Sequence, residues 1–222
     1  MTSPRAAGLP VTLAGEAVVL LPQRAIAWPS AQTLIIADPH WGKAAAFRAH
    51  GLPVPGGTTA ADLRRLDAAI AAAGARRLVV LGDFWHGRRG RTAAVDAALG
   101  QWRSRHASLD VVLVRGNHDR HAGDPAAALG FDVVEAPALL APFSLSHHPV
   151  GRPGTYTLAG HLHPAVRLRG PGRGRERLPC FVLAQDLAIL PAFGGFTGAA
   201  NVEPAPGVDL YAVADDEVIA IG

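Results

Sequence analysis

The stretch Thr33-Leu-Ile-Ile-Ala-Asp-Pro-His40 joins an uncharged, mostly apolar run directly to a carboxylate and an imidazole. A run of this length without polar alternation is the pattern of a strand covered on both faces. The same arrangement recurs along the chain. Leu78-Val-Val-Leu81 leads into Gly82-Asp83, with His86 close behind, and Val111-Val-Leu-Val114 leads into Arg115-Gly-Asn-His-Asp119. Ser144-Leu-Ser146 leads into His147-His148-Pro149, and Thr157-Leu-Ala159 into Gly160-His161-Leu-His163. Between the first three runs lie helical patterns. Residues 60–73 carry Leu63, Leu66 and Ile70 at helical spacing, with Thr58 and Thr59 expected to cap and Gly74 to terminate. A second helix is expected over 94–105. Strand, helix, strand, helix, strand predicts an α/β domain with partly parallel strands.

Outward from this centre, residues 10–13, 16–21 and 25–28 read as a β-meander that feeds the first buried strand. Beyond Phe131 the chain becomes strand-rich, with runs near 143–146, 156–158, 181–183, 211–214 and 218–221. Nothing resembles a domain-sized linker or an internal repeat, so the expectation is a single domain over 1–222. Residues 170–177 (GPGRGRER) read as a flexible basic loop, in its plainest form a solvated hairpin connection.

In open α/β sheets, ligands bind at the carboxyl ends of strands. Five strand ends that deliver His, Asp and Asn to one edge therefore suggest a single polar crevice. Each cluster alone has an ordinary explanation: an Asp-x-His loop, a helix cap, an Asx turn or exposed histidines. Their recurrence at successive strand ends is what distinguishes them. Gly82, Gly116 and Gly160 permit tight turns just before the polar residues. Imidazole, carboxylate and carboxamide without thiolate suit Mn²⁺, Fe²⁺ or Zn²⁺ rather than a structural zinc. The ligands are too many for one ion, and a carboxylate such as Asp83 can bridge two. A pair of ions about 3.5–4 Å apart can clamp an in-line displacement at phosphorus and generate hydroxide at neutral pH. No Gly-x-Ser-x-Gly elbow or Walker loop offers competing chemistry.

Asp38-x-His40, Gly82-Asp83, Gly116-Asn-His-Asp119, His147 and Gly160-His-x-His163 resemble the five-block signature of calcineurin-like metallophosphoesterases. The resemblance implies a four-layer α/β/β/α sandwich with mixed sheets, and two divalent metal ions. Asp38, His40 and His163 would hold one ion and Asn117, His147 and His161 the other, with Asp83 bridging. His118 would protonate the leaving oxygen or stabilise the transition state, with Asp119 orienting it. His86 stands where the pattern often has Asp and is placed beside the ligands. His147 is preferred to His148 because the ligand commonly lies two residues before this proline. A narrower resemblance rests on residues 38–48 and 51–59 (DPHWGKAAAFR and GLPVPGGTT), 115–121, 159–166 and 190–197. These are similar to the bacterial ligase-associated DNA-damage-response endonucleases. That implies a manganese-dependent nuclease or phosphodiesterase acting on DNA beside a ligase and a helicase.

Composition sets weaker bounds. The 222 residues are 49% hydrophobic with a net charge of +3, and 20 of the 21 basic residues are arginine, Lys43 being the exception. A GC-rich coding bias explains that composition as well as a polyanionic partner does. One cysteine, Cys180, excludes an intrachain disulfide, suits a reducing cytoplasm and reads as a core residue. No apolar run approaches the ~18 residues that span a bilayer, and no N-terminal signal segment is evident, so a soluble bacterial cytoplasmic protein is expected. Arg88, Arg89 and Arg91, and Arg167, Arg169, Arg173, Arg175 and Arg177, flank ligand loops and are candidates for phosphate contacts. Arg115 and Lys43 are further substrate candidates, and Lys43 reads equally as a helix opener. Trp41, Phe84 and Trp85 are candidates to stack on bases or, equally, to pack beneath the site. The same site would also serve a small-molecule phosphatase or cyclic-nucleotide phosphodiesterase. A non-catalytic protein-binding scaffold is a third reading that the full ligand set disfavours.

Overall fold

A computed structural model describes residues 8–169 and 175–221; residues 170–174, with Arg173 of the basic loop, lie outside the described residues. The first sheet contains β1 (Leu9–Leu13), β2 (Glu16–Leu21), β3 (Ala25–Trp28), β4 (Thr33–Ala37), β5 (Arg77–Leu81), β6 (Asp110–Val114) and β7 (Asp132–Val134), adjacent in that order. β1 to β4 pair antiparallel and β4 to β7 pair parallel. Connection length explains the switch. Short turns join the first four strands, whereas parallel neighbours need crossovers. Those crossovers carry α1 (Lys43–Ala49) and α2 (Thr58–Ala73), then α3 (Ala93–Arg105), then α4 (Asn117–Ala122).

The rest of the chain is almost wholly β. It supplies β8 (Ala138–Leu140), β9 (Phe143–Leu145), β10 (Tyr156–Ala159), β11 (Pro164–Arg169), β12 (Arg175–Leu183), β13 (Leu187–Ile189), β14 (Ala200–Asn201), β15 (Asp209–Ala214) and β16 (Glu217–Ile221). The second sheet is ordered β14-β11-β12-β13-β10-β9-β8, with β15 added on β12 and β16 on β15. β11 and β12 pair antiparallel with Arg169 opposite Arg175, so Arg175 and Arg177, expected in the basic loop, belong to a strand.

Strand alternation assigns the two faces of each sheet. Leu34, Ile36, Leu78, Val80, Val111 and Leu113 face a core shared with Leu63, Leu66 and Ile70 of α2 and with Val95, Leu99 and Trp102 of α3. Their neighbours Ile35, Val79, Leu81 and Val114 face the second sheet and meet Phe143, Leu145, Leu158, Phe181 and Leu190. Both faces of β4 and β5 are thus apolar and covered, as the unbroken runs require. The two mixed sheets and the helices make the expected metallophosphoesterase-type sandwich. Among the described residues all four α-helices precede residue 123, and the second sheet carries a small strand-borne cluster of Val166, Cys180, Leu210 and Ala212.

One local expectation is corrected. Thr58 and Thr59 are the first helical residues of α2, because Gly57 takes the cap position with φ of 82° and no side chain caps the helix. The threonine that does cap is Thr92, whose oxygen accepts from Val95 N at 3.3 Å at the start of α3. Gly74 ends α2 in the left-handed conformation, as expected. Cys180 is fully buried, and burial pushes its thiol up to about 12, so it packs as a core residue without thiolate character. Among the described residues no helix is long and apolar enough to cross a membrane.

Candidate metal centre

The ends of β4, β5, β6, β9 and β10 bring their loops together, and the contacts between loops are made largely by the backbone. His40 N donates to Asp83 O at 2.9 Å, Trp41 N to Phe84 O at 2.9 Å, and His86 N to Trp41 O at 3.2 Å. These bonds zip the first two loops side by side. Asp38 Oδ2 then accepts the His161 amide at 2.7 Å, and Asp83 Oδ1 accepts the His118 amide at 2.9 Å. Each carboxylate therefore anchors a distant loop with one oxygen and leaves the other turned toward the imidazoles.

Close approach of backbones requires glycine at particular points. A Cβ on Gly82 would lie 2.2 Å from His147 Nδ1, and its φ of 77° already suits glycine. A Cβ on Gly160 would lie 2.4 Å from Asp38 Oδ2 and 2.8 Å from Ala37 Cβ. The glycines thus leave room for a ligand from a neighbouring loop. Gly160→Ala is expected to displace Asp38 and weaken divalent-metal binding about 10–100-fold, the usual scale for a lost supporting contact. Calorimetric titration of the metal-stripped variant checks this; wild-type affinity would show that Asp38 is not a ligand.

The side chains converge in two groups around Asp83. His40 Nε2 and His163 Nε2 face each other at 3.2 Å, with Asp38 Oδ1 3.7 Å from His163 Nε2. In the second group, His147 Nε2 lies 2.8 Å from Asn117 Oδ1 and 3.1 Å from His161 Nδ1. Asp83 spans the two, with Oδ2 3.6 Å from His40 Nε2 and Oδ1 3.4 Å from His147 Nε2. Backbone carbonyls orient two rings. Leu81 O takes His147 Nδ1–H at 3.1 Å and Gly198 O takes His163 Nδ1–H at 3.0 Å, so each Nε2 presents its lone pair inward.

Burial keeps most of these imidazoles neutral. It pulls His40 far below the ordinary range, helped by His163 and His118, and pulls His147 down to about 4 despite Asp38. Burial also lowers His161. For His163 burial acts downward too, but the Asp38 carboxylate and the Gly198 carbonyl together outweigh it and the net shift is upward. Burial raises Asp83, opposed by the His118 amide and nearby histidines. Asp38 Oδ1 and His40 Nδ1 are buried with no hydrogen-bond partner. Neutral nitrogens and carboxylate oxygens that face one another across 3–4 Å are an arrangement that a cation satisfies. The donor set of nitrogen and oxygen without sulfur fits divalent Mn, Fe or Zn.

Backbone strain is concentrated here as well. Among the described residues nine non-glycine residues have positive φ, and five of them are Asp38, His40, Asp83, His161 and His163. Left-handed backbone at such residues costs on the order of 1–3 kcal/mol each and persists where surroundings enforce it.

Of the remaining candidates, His118 joins the cluster. Its Nδ1 donates to His86 O at 2.6 Å, leaving Nε2 3.8 Å from Asp83 Oδ2. His86 is half-buried, stacks on His118, and with His40 and His118 forms a third group of convergent nitrogens. Asp119 was expected to orient the His118 ring, but it bonds backbone instead, accepting from Gly116 N at 2.9 Å and Trp85 N at 3.2 Å. Its place in the third position of α4 explains this, since a carboxylate there reaches the free amides of the helix start. His148 is exposed and packs its ring 4.2 Å from that of His161. Lys43 opens α1, half-buried, with Asp83 near enough to favour its charge against burial. Arg115 pairs with Asp124 at 2.7 and 2.9 Å and with Glu135, away from the ligand set. Trp41, Phe84 and Trp85 are fully buried and pack beneath the site, so base stacking on them is excluded. Arg88 and Arg91 donate to carbonyls of His121 and Ala122 in α4. Arg177 donates to Ala199 O, next to the Gly198 carbonyl that holds His163.

A supporting clamp was missed. Phe193 N and Gly194 N donate to Ala37 O and Asp38 O at 2.7 and 3.2 Å, so residues 190–198 lie against the first ligand loop. Buried Asp62 holds this segment by accepting from Gly195 N at 2.9 Å, while Arg65 and Arg24 donate to its carbonyls. The signal in the sequence was a lone Asp among the apolar positions of α2.

Comparison with known proteins adds a family and a relative. The sequence model described as calcineurin-like phosphoesterase matches residues 31–205. The crystal structure of the nuclease MPE of Pseudomonas putida is 43% identical. The match covers 96% of this chain and 100% of that one, with a TM-score of 0.84. No curated protein matches.

Proposed function

The chain belongs to the calcineurin-like phosphoesterase family and is a metal-dependent hydrolase of phosphoester bonds, and on that premise we propose that it cuts phosphodiesters in DNA with Mn²⁺. The observation that carries this reading is the pair of ligand groups on either side of one buried carboxylate, Asp83. Asp38, His40 and His163 would hold one ion, and Asn117, His147 and His161 the other, with Asp83 shared. When bound, such ions supply Lewis acidity to the phosphoryl oxygens and an activated water. His118, protonated on both ring nitrogens, would be the proton donor to the leaving oxygen: its Nδ1–H is held by the His86 carbonyl, so its Nε2–H is the one that faces the crevice. Asp119 positions the segment that carries it. Support for DNA as substrate comes from the full-length likeness to a nuclease. A role in repair beside a ligase and a helicase rests on the sequence resemblance alone.

The test uses metal-stripped protein and bis(p-nitrophenyl) phosphate, with Mn²⁺, Zn²⁺ or Mg²⁺ added in turn, followed by labelled DNA. Restoration by Mn²⁺ on both substrates is expected. Hydrolysis of mononucleotide or cyclic-nucleotide esters with DNA left intact would favour a small-molecule enzyme on the same site. Metal binding without turnover on any ester would favour a scaffold.

A further inference from the structure

Beside the metal-facing cluster lies a hollow of about 550 Å³ that the chemistry above does not use. Its walls are Ala46, Phe47 and Leu52 on one side and His86, Arg88 and Arg89 on the other. The size falls in the range of small-ligand sites. The Phe47 and His86 rings are 5.8 Å apart at an interplanar angle of 37°, and Phe196 meets the edge of Phe47 at 5.6 Å. Leu52 is 49% exposed and Phe196 36% exposed, an apolar display that water disfavours unless something covers it.

Three observations together select the occupant. His86 is common to the hollow and to the group formed with His40 and His118, so whatever enters sits next to the reacting centre. The walls include two exposed arginines and no carboxylate, which suits a ligand with an anionic backbone. The floor is apolar and aromatic, which suits a flat ring and not a sugar or a phosphate. Arg89 is held on the rim by His50 Nε2 at 2.6 Å, and Arg88 by its Nε to the His121 carbonyl at 2.7 Å.

We propose that this hollow binds the nucleobase adjoining the scissile phosphate, packed against Phe47 and Leu52, with Arg88 and Arg89 on the flanking phosphates. The inference rests on the nuclease reading above. It makes Phe47 a residue that sets substrate preference without touching the reacting atoms.

The experiment compares two strands of equal length with Mn²⁺ present: an oligothymidylate, and a tetrahydrofuran phosphodiester that has the same backbone and no bases. Base–aromatic stacking is worth enough to give the wild-type protein about a ten-fold higher kcat/KM on oligothymidylate. Phe47→Ala should bring the ratio close to one by lowering only the oligothymidylate rate, and Phe47→Tyr should keep it. Leu52→Asp, at an exposed position, should lower the ratio in the same sense and serves if Phe47→Ala does not fold. Equal cleavage of both strands by the wild-type protein, or a ratio unchanged in Phe47→Ala and Leu52→Asp, would overturn the base site and leave the nuclease intact. Turnover of bis(p-nitrophenyl) phosphate with neither strand cut would overturn the nuclease reading itself.

Discussion

Replacing His118 with alanine is expected to lower turnover about 10²–10⁴-fold, the range for a positioned general acid, while Mn²⁺ affinity stays near wild type. The two readouts separate because of geometry. The contact with Asp83 that matters for architecture is made by the His118 amide at 2.9 Å, and alanine retains it. The imidazole itself is held from outside the ligand set, by the His86 carbonyl. Removing the ring therefore takes away a proton donor without shifting Asp83 or His40. Steady-state kinetics on DNA, whose leaving alkoxide needs a proton, and metal titration of the same preparation check the split. A variant that lost metal in proportion to activity would show that His118 is a ligand. A substrate whose leaving group needs no proton should narrow the deficit, since acid catalysis is worth least there.

The contrast between what was legible in the sequence and what was not follows from the range of the interactions. β4, β5 and β6 could be read because burial on both faces writes itself as consecutive apolar residues, and the candidate ligands stood out because they follow those runs immediately. The β7–β8 and β13–β14 strands were harder: they are two or three residues long, and their pairing partners are set by the sheet rather than by local pattern. Within the site, residue types were legible and tautomers were not. The Leu81 and Gly198 carbonyls that orient His147 and His163 are backbone atoms, and backbone atoms leave no mark on a sequence. Asp119 illustrates the same limit. The resemblance implied contact with the His118 ring, whereas helix geometry sends the carboxylate back to Gly116 and Trp85. The tryptophans beside the ligands were ambiguous for a related reason, because adjacency in sequence does not tell the floor of a site from its mouth.

Asp83→Asn should affect metal and stability in opposite directions. Asp83 is only 2% exposed, with Oδ1 toward His147 and the His118 amide and Oδ2 toward His40 and His118. A carboxamide has nearly the same shape, keeps one acceptor and loses the charge shared by the two groups. Mn²⁺ affinity should fall by at least about 10–100-fold, and turnover with it, even at saturating metal. The metal-stripped protein should behave differently. Burial holds the Asp83 pKa above its ordinary value, so the folded state binds this proton more readily than the unfolded chain does. As pH rises through the carboxylate range, that preference becomes a cost to the folded state, and at neutral pH the cost is fully present. Asparagine has no charge to bury, so the stripped variant should melt no lower than stripped wild type at pH 7. Its advantage should disappear when both are measured in acid. With Mn²⁺ added, the wild type should gain more stability by mass action than the variant at the same metal concentration. Thermal denaturation with and without metal, at two pH values, reads all of these signs at once. Wild-type turnover and metal-dependent stabilisation in Asp83→Asn would remove Asp83 from the shared position and leave the two histidine groups without a common ligand.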